Sequence, residues 1–406
     1  MTRCLVAIMV AISVGFAEDL QLDPEEAAQR AITRSADLIA AAQDEIAVAA
    51  AQNSAWAFAL PQVYGRAGTD RRYPLDPRSS PSFSSGLGIE QHVYTPGRWE
   101  AVAATGQARR DAARADLESV RRDAALRARL AVERVRLAKA RLAVLTDRRA
   151  QREEEQADAE ALFAAGRTTV TESRQSAVAA AQAQDAVLAG QADLAAARRE
   201  LAAAIEATDP VDARGSLVRP TGLPQLLEQA RARRGPEQRA LEARRRAEIG
   251  SAEQREAGSR PQVFVSADTS TGGDRYDKTY ATWGIGAGVR WSLFDGGARS
   301  ADAEAARARE AALSARARAS ERERERILAT LGDEIPIIDG RLALAETTMA
   351  AALENYTDAR ERFRVGRLKL IDVGQAGLAV QESGLVQANL IAREAEIAHR
   401  LRAMAE

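Results

Sequence analysis

One unit is written twice in this chain at a constant offset of 200 residues, and that duplication limits the available folds more than any other feature. Pro61-Gln62-Val63 returns as Pro261-Gln262-Val263, and Tyr94 and Gly97 return as Phe294 and Gly297. Phe163, Gly166 and Arg167 return as Phe363, Gly366 and Arg367, and Asp37 has Glu237 as its counterpart. The period far exceeds the roughly 20–50 residues of a stacked repeat, so each copy is the size of a domain. The copies occupy residues 18–207 and 223–406. The proline- and glycine-bearing segment between them, 208–222, reads as a connector.

Both copies predict the same parts in the same order. A helix (24–58, then 223–258) leads to Pro-Gln-Val and two strands, 62–70 and 83–94 in the first copy, 262–270 and 281–294 in the second. A very long helical stretch follows, 98–163 and 298–363, then a Gly-Arg break and a closing helix, 169–206 and 369–405. The first long stretch has no strong interior breaker and predicts one helix of about 100 Å. The second contains Gly332, Pro336 and Gly340. Proline removes a backbone donor and crowds the preceding turn, which predicts two helices end to end. ERERERI, 321–327, reads as a solvated helical face.

Composition decides what these helices are for. The chain is 46% hydrophobic but only 4% aromatic, and alanine makes up nearly half of the apolar content. Such a chain packs small-faced helices side by side and does not build the large-residue core of a globular enzyme. Net charge is −1, which argues against a nucleic-acid partner. No Ser-His-Asp or Cys-His set is present. His92 and His399 lie far apart in different elements, so no metal site and no metal relay is expected. GIGAGV, 284–289, loosely resembles a phosphate loop but sits inside a strand. No catalytic residue and no cofactor is therefore expected.

At the N-terminus, Arg3 precedes LVAIMVAISVGFA, with Gly15 and Ala17 at its end. This is the pattern of a secretory signal peptide over residues 1–17, cut after Ala17. The alternative, an anchor helix, falls short of the ~20 residues a span requires. Cys4, the only cysteine, leaves with the signal, so the exported chain has no disulfide.

Thirteen of the seventeen aromatic residues fall within 56–99 and 264–294. In WGIGAGVRWSLF, 283–294, Trp283, Ile285, Ala287, Val289, Trp291 and Leu293 alternate strictly with Gly284, Gly286, Gly288, Arg290 and Ser292. Period-two alternation marks a strand with one apolar face. GLGIEQHVY, 86–94, alternates more weakly. Two readings stand: a small amphipathic sheet capping a bundle, or strands of a membrane barrel. Trp283 and Trp291 bracket an apolar band about 20 Å high on a tilted strand, the spacing of aromatic girdles against lipid. In the barrel reading Gly286, Gly288 and Arg290 face the lumen. Four strands cannot close a barrel, and open edges cannot face lipid, so that reading requires an oligomer.

LPQV (60–63), RPQV (260–263), WSLFDGGARSADAEAARARE (291–310) and the pair FAAGRTTVTES and FRVGRLKLIDVGQA resemble the TolC-like outer membrane efflux protein family. The resemblance covers essentially the whole mature chain. It implies a mostly α fold with a small β part: three chains each give four strands to one transmembrane β-barrel, and their long coiled helical hairpins form an α-barrel through the periplasm. It implies a homotrimer in the outer membrane of a Gram-negative bacterium, in contact with outer-membrane lipid. Its partners would be a periplasmic adaptor and an inner-membrane pump or ABC transporter, served by a passive exit duct that is not an enzyme. The alternative is a periplasmic coiled-coil adaptor or scaffold, which would show one hairpin flanked by compact β domains, or sustained heptads.

The repeated Phe-x-x-Gly-Arg then has a place. Gly166 and Gly366 end the long helices, where φ > 0 comes without steric cost, and so form the hairpin tips. Phe163 and Phe363, one turn earlier, are expected to pack across the hairpin. Arg167 and Arg367 are displayed at the tip, and the resemblance implies that Gly166, Arg167, Gly366 and Arg367 dock the adaptor. Glu172 and Asp372 open the returning helices. They serve either as carboxylates favoured at a helix N-terminus or as an acidic ring constricting the periplasmic mouth. Gly374-Gln375 follows Asp372 where some family members have another acid, which weakens such a constriction.

Overall fold

A computed structural model describes residues 21–70, 82–275 and 278–406 of the 406-residue chain. The export signal expected at 1–17, with Cys4, and most of the loop residues between the paired strands lie outside the described residues. The first copy runs β1 (Gln21–Leu22), α1 (Pro24–Arg34), α2 (Ala36–Trp56), a 3-10 turn (Ala57–Ala59), β2 (Gln62–Asp70), β3 (Ser82–Tyr94), α3 (Arg98–Ala164) and α4 (Val170–Ala204). The connector carries β4 (Asp212–Ala213). The second copy runs α5 (Leu223–Ala232), α6 (Pro236–Ala257), β5 (Gln262–Arg275), β6 (Lys278–Arg290), α7 (Ala298–Arg364) and α8 (Leu370–Ala405). α3 and α7 are both 67 residues long and start 200 positions apart.

Three expectations are corrected. The helices expected at 24–58 and 223–258 are each broken in two. Ser35 leaves the helix at ψ 120°, and Pro236 opens α6 at its first turn, disfavouring helical backbone in the residue before it. α7 is one helix that carries Pro336 inside it, not two. A buried stripe runs straight through the proline at three- and four-residue spacings: Leu328, Leu331, Ile335, Ile338, Leu342 and Ala345. An interior proline costs about 3 kcal/mol, whereas each large buried aliphatic contributes about 1.5–3 kcal/mol. The stripe wins. Just N-terminal to it, ERERERI presents the expected solvated face through Arg322, Glu323, Glu325 and Arg326, while Arg324 alone turns inward and donates to the Arg233 carbonyl at 2.7 Å.

The strand expected over 281–294 runs Lys278–Arg290, leaving Trp291 to Phe294 beyond it. Arg290 pairs with Gln262, the first residue of β5. Pro261 precedes it and has no N–H to extend the ladder.

The chain packs as two units. The first takes in residues up to Ser35, Asp123–Ala230 and Leu331–Met404. There β1 pairs in parallel with β4, and Leu22, Val132, Val135, Leu201, Ile205 and Val211 form a buried core with small alanines between them. The connector is tied down by Asp212, which meets Lys139 and Arg198, each at 2.9 Å. Arg219 reaches the buried Glu394 at 3.1 Å. The second unit takes in Ala36–Arg122 and Arg231–Thr330, with the last two residues. Its sheet has the order β2-β3-β5-β6, every pair antiparallel. Trp99 meets Trp56 and Phe58 edge-on at 5.8 and 5.5 Å where α3 begins. Arginines of α6 pair with acids of α3 (Arg239–Glu118, Arg244–Asp116, Arg246–Asp111), so much of the basic content here is spent on helix contacts.

Candidate functional site

The sheet sorts its residues into two chemically opposite faces. Reading across the ladder, Ile285, Ala267, Ile89 and Val63 form one row, with Trp283, Thr269 and Leu87 in the next. Trp283 and Ile285 are 80% and 79% exposed. Contiguous exposed apolar surface of this kind marks an interaction face. The rows between them are polar: Gly286, Ser266, Glu90 and Gln62, then Gly284, Asp268, Gly88 and Tyr64. Pairing thus extends to all four strands an alternation that was plain in only one. Gly286, Gly288 and Arg290 lie on the polar face, opposite to Trp283 in the pleat.

Glycine has a specific job on that face. A Cβ on Gly288 would stand 2.6 Å from Cζ of Phe264, and one on Gly88 2.6 Å from Cζ of Tyr64. Each glycine faces its aromatic directly across the ladder, so the ring lies over bare backbone. Trp291, expected within the strand, follows it instead, and its indole N–H donates to the Ser259 carbonyl at 3.0 Å. The Phe-Asp-Gly-Gly turn then opens α7: Gly296 and Gly297 take φ of 69° and 87°, and Asp295 accepts from the N–H groups of Gly297 and Arg299.

The hairpin ends lie in the other unit. At both tips the glycine N–H bonds the phenylalanine carbonyl three residues back at 2.9 Å, and the arginine N–H bonds the carbonyl five back at 2.9 Å. With Gly166 and Gly366 at φ 67° and 73°, this is a Schellman ending formed twice. The structure brings the two tips together, since Arg167 Nη2 lies 3.7 Å from a Cβ placed on Gly366. Arg167 and Arg367 are exposed. The two phenylalanines diverge. Phe363 packs on Tyr356, Ala359, Val373 and Ala376. Phe163 is 46% exposed, so the two sides of the hairpin end are not equivalent.

Glu172 and Asp372 diverge as well. Glu172 completes a capping box with Thr169. The Thr168 hydroxyl and then the Thr169 N–H hold its carboxyl below the ordinary range. The second copy has Lys369 where the first has Thr169, and half-buried Asp372 instead lines a cavity with Asp358, Arg362 and Gln375.

Sequence reasoning missed a buried seam just behind the tips. Arg148 donates to the Gly374 carbonyl at 2.8 Å and to Glu155 at 3.2 Å. Arg152 donates to the same carbonyl at 3.2 Å and to Glu155 at 2.7 Å. A Cβ on Gly374 or Gly377 would strike these guanidinium groups at 2.4 and 2.2 Å. Spacings of four and three residues put Arg148, Arg152 and Glu155 on one face of α3. Gly374-x-x-Gly377 in α8 was the readable signal of a close approach.

The sequence matches the family described as outer membrane efflux protein over residues 27–206 and 226–405, one match per copy. Its fold is that of solved channels. The outer membrane protein VceC of Vibrio cholerae superposes with a TM-score of 0.82 at 16% identity, over 94% of this chain and 96% of that one. The outer-membrane channel OprN gives 0.79 at 20% identity, over 94% and 89%. CusC, solved in a study of folding and transmembrane channel formation, gives 0.78 at 16%, over 97% and 95%. No curated protein matches by sequence. The chain belongs to the outer membrane efflux protein family, whose members are channel proteins, not enzymes. No helix among the described residues is long and apolar enough to cross a membrane.

Proposed function

We propose that this chain is the outer-membrane exit duct of a tripartite efflux pump or type I secretion system, and that three copies close one twelve-stranded barrel. The observation that carries the reading is the sheet. One face is apolar and exposed across four strands, the other is polar, and β2 and β6 stand at its two edges. Unpaired backbone at an edge is untenable in hydrocarbon, so β6 of one copy would pair with β2 of the next. The number three comes from the family likeness. Two complete helix–strand–strand–helix copies, with no separate compact β domain among the described residues, do not match an adaptor.

In this reading residues 1–17 are removed on export, Trp283 and Trp291 mark the rims of the lipid-facing band, and the periplasmic tips carrying Gly166, Arg167, Gly366 and Arg367 dock an adaptor that links the duct to an inner-membrane pump. Glu172 acts first as a helix cap, and a selectivity role at the mouth is assigned to Asp372. The test is disulfide trapping in intact outer membranes with one cysteine in β2 and one in β6. A ladder ending at three crosslinked copies is expected. A chain that stays monomeric, soluble and protease-accessible in its strands overturns the reading.

A further inference from the structure

The polar face of the sheet ends, on its helix side, in a charged group that neither the tips nor the apolar face accounts for. Arg290, the last residue of β6, places Nη2 3.2 Å from Oε1 of Glu90 on β3, bridging over β5, which lies between those strands. Beneath the bridge lies the ring of Phe264, whose centroid is 4.9 Å from the Arg290 guanidinium carbon. His92 meets the same ring edge-on at 6.4 Å. Its Nε2 is 3.8 Å from the Glu90 carboxylate, and its Nδ1 is buried without a partner. Arg98, at the start of α3, donates to Gln262 at 3.5 Å, and Gln262 faces Arg290 in the ladder.

We propose that the Glu90–Arg290 pair, mounted over Phe264, is a charge station on the wall of the duct that sets its ion selectivity at the helix-side end of the barrel. The proposal rests on the reading of the polar face as the lumen. The partners differ in what they show to that space: the Arg290 side chain is 57% exposed and that of Glu90 23%. Arg98 lies nearby, so at this end of the face two guanidinium groups stand against the Glu90 carboxylate, and the next acid, Asp268, lies one row further along. Fixed charges on a low-dielectric wall act strongly on ions at close range, and rings of such side chains select ions by sign. The glycine opposite Phe264 lets the ring lie flat, so the arginine rests on a rigid platform and keeps its place.

The experiment is the reversal potential of the purified full chain in planar bilayers under a potassium chloride gradient. Glu90→Gln should raise the anion-to-cation permeability ratio by about twofold or more, and Arg290→Gln should lower it by a similar factor. Arg290→Lys keeps the charge and should keep the wild-type ratio. A purely structural clamp would instead lower the unfolding temperature of the variants and leave the ratio alone. If both glutamine variants conduct with the wild-type reversal potential, the charge station is overturned while the duct stands. A wild-type chain that forms no conducting pore overturns the duct itself.

Discussion

Replacing Gly377 by alanine probes the arginine seam behind the tips. The added Cβ would stand 2.2 Å from Nη1 of Arg148, 3.0 Å from its Cζ and 3.2 Å from Cε2 of Tyr356. An arginine end can ordinarily swing away from such a clash. Here its side chain is only 4% exposed and is fixed by the Gly374 carbonyl at 2.8 Å and Glu155 at 3.2 Å. Hydrogen bonds of charged groups contribute about 1.5–3 kcal/mol each, so losing both costs about 3 kcal/mol at the lower bound. Alanine returns about 1 kcal/mol of helix propensity over glycine. The net expectation is a loss of about 2 kcal/mol or more, read as faster hydrogen exchange in the first turns of α8. Arg148→Met removes the obstructing guanidinium and leaves Glu155 its bond to Arg152 at 2.7 Å. In that background only the propensity gain of about 1 kcal/mol remains, giving a coupling of about 3 kcal/mol in a double-mutant cycle. Wild-type exchange in the single variant, or the same cost in both backgrounds, refutes the argument.

Three further outcomes are expected. Ala287→Arg, on the apolar face between Trp283 and Trp291, should cost about 2–4 kcal/mol of barrel stability, whereas Gly288→Ala should act through the Phe264 ring 2.6 Å away. Unchanged heat resistance of the oligomer on gels for Ala287→Arg would remove the lipid assignment. Arg367→Glu should abolish crosslinking to the adaptor and export while outer-membrane assembly stays normal, and failed assembly would make the tip a folding device. In the acid range two glutamates on the α7–α8 hairpin should act with opposite signs. Arg393, 2.7 Å away, holds the Glu334 carboxyl below its ordinary value of 4.5, so its stabilisation is present above 4.5 and is lost as pH falls through the lower folded value. Burial lifts Glu394 above 4.5, so it costs stability at neutral pH and relieves that cost as pH falls from the folded value toward 4.5. Unfolding midpoints across that range should show Glu334→Gln flattening the loss and Glu394→Gln flattening the gain.

Local physics made much of this protein readable from its sequence. The 200-residue offset, the two long helices and the left-handed glycines at 166 and 366 depend on backbone propensities that hold wherever those residues stand. The strict alternation at 283–290 likewise showed two faces on one strand. Other features depend on neighbours that sequence does not bring together. Pro336 stays helical because a stripe of buried side chains outweighs its lost bond. The residues of β2, β3 and β5 are assigned to one face or the other only through their register with each other and with β6. Phe163 and Phe363 share a motif, yet Phe363 packs against a buried apolar cluster while Phe163 is 46% exposed. Glu172 has a threonine to cap with, and Asp372, beside Lys369, has none. Arg148 and Arg152 reach α8 only because two glycines 222 to 229 positions further along the chain leave room for them. Propensity and periodicity are properties of a segment and survive in the bare sequence, whereas burial and register are properties of pairs of segments and exist only once the chain has folded.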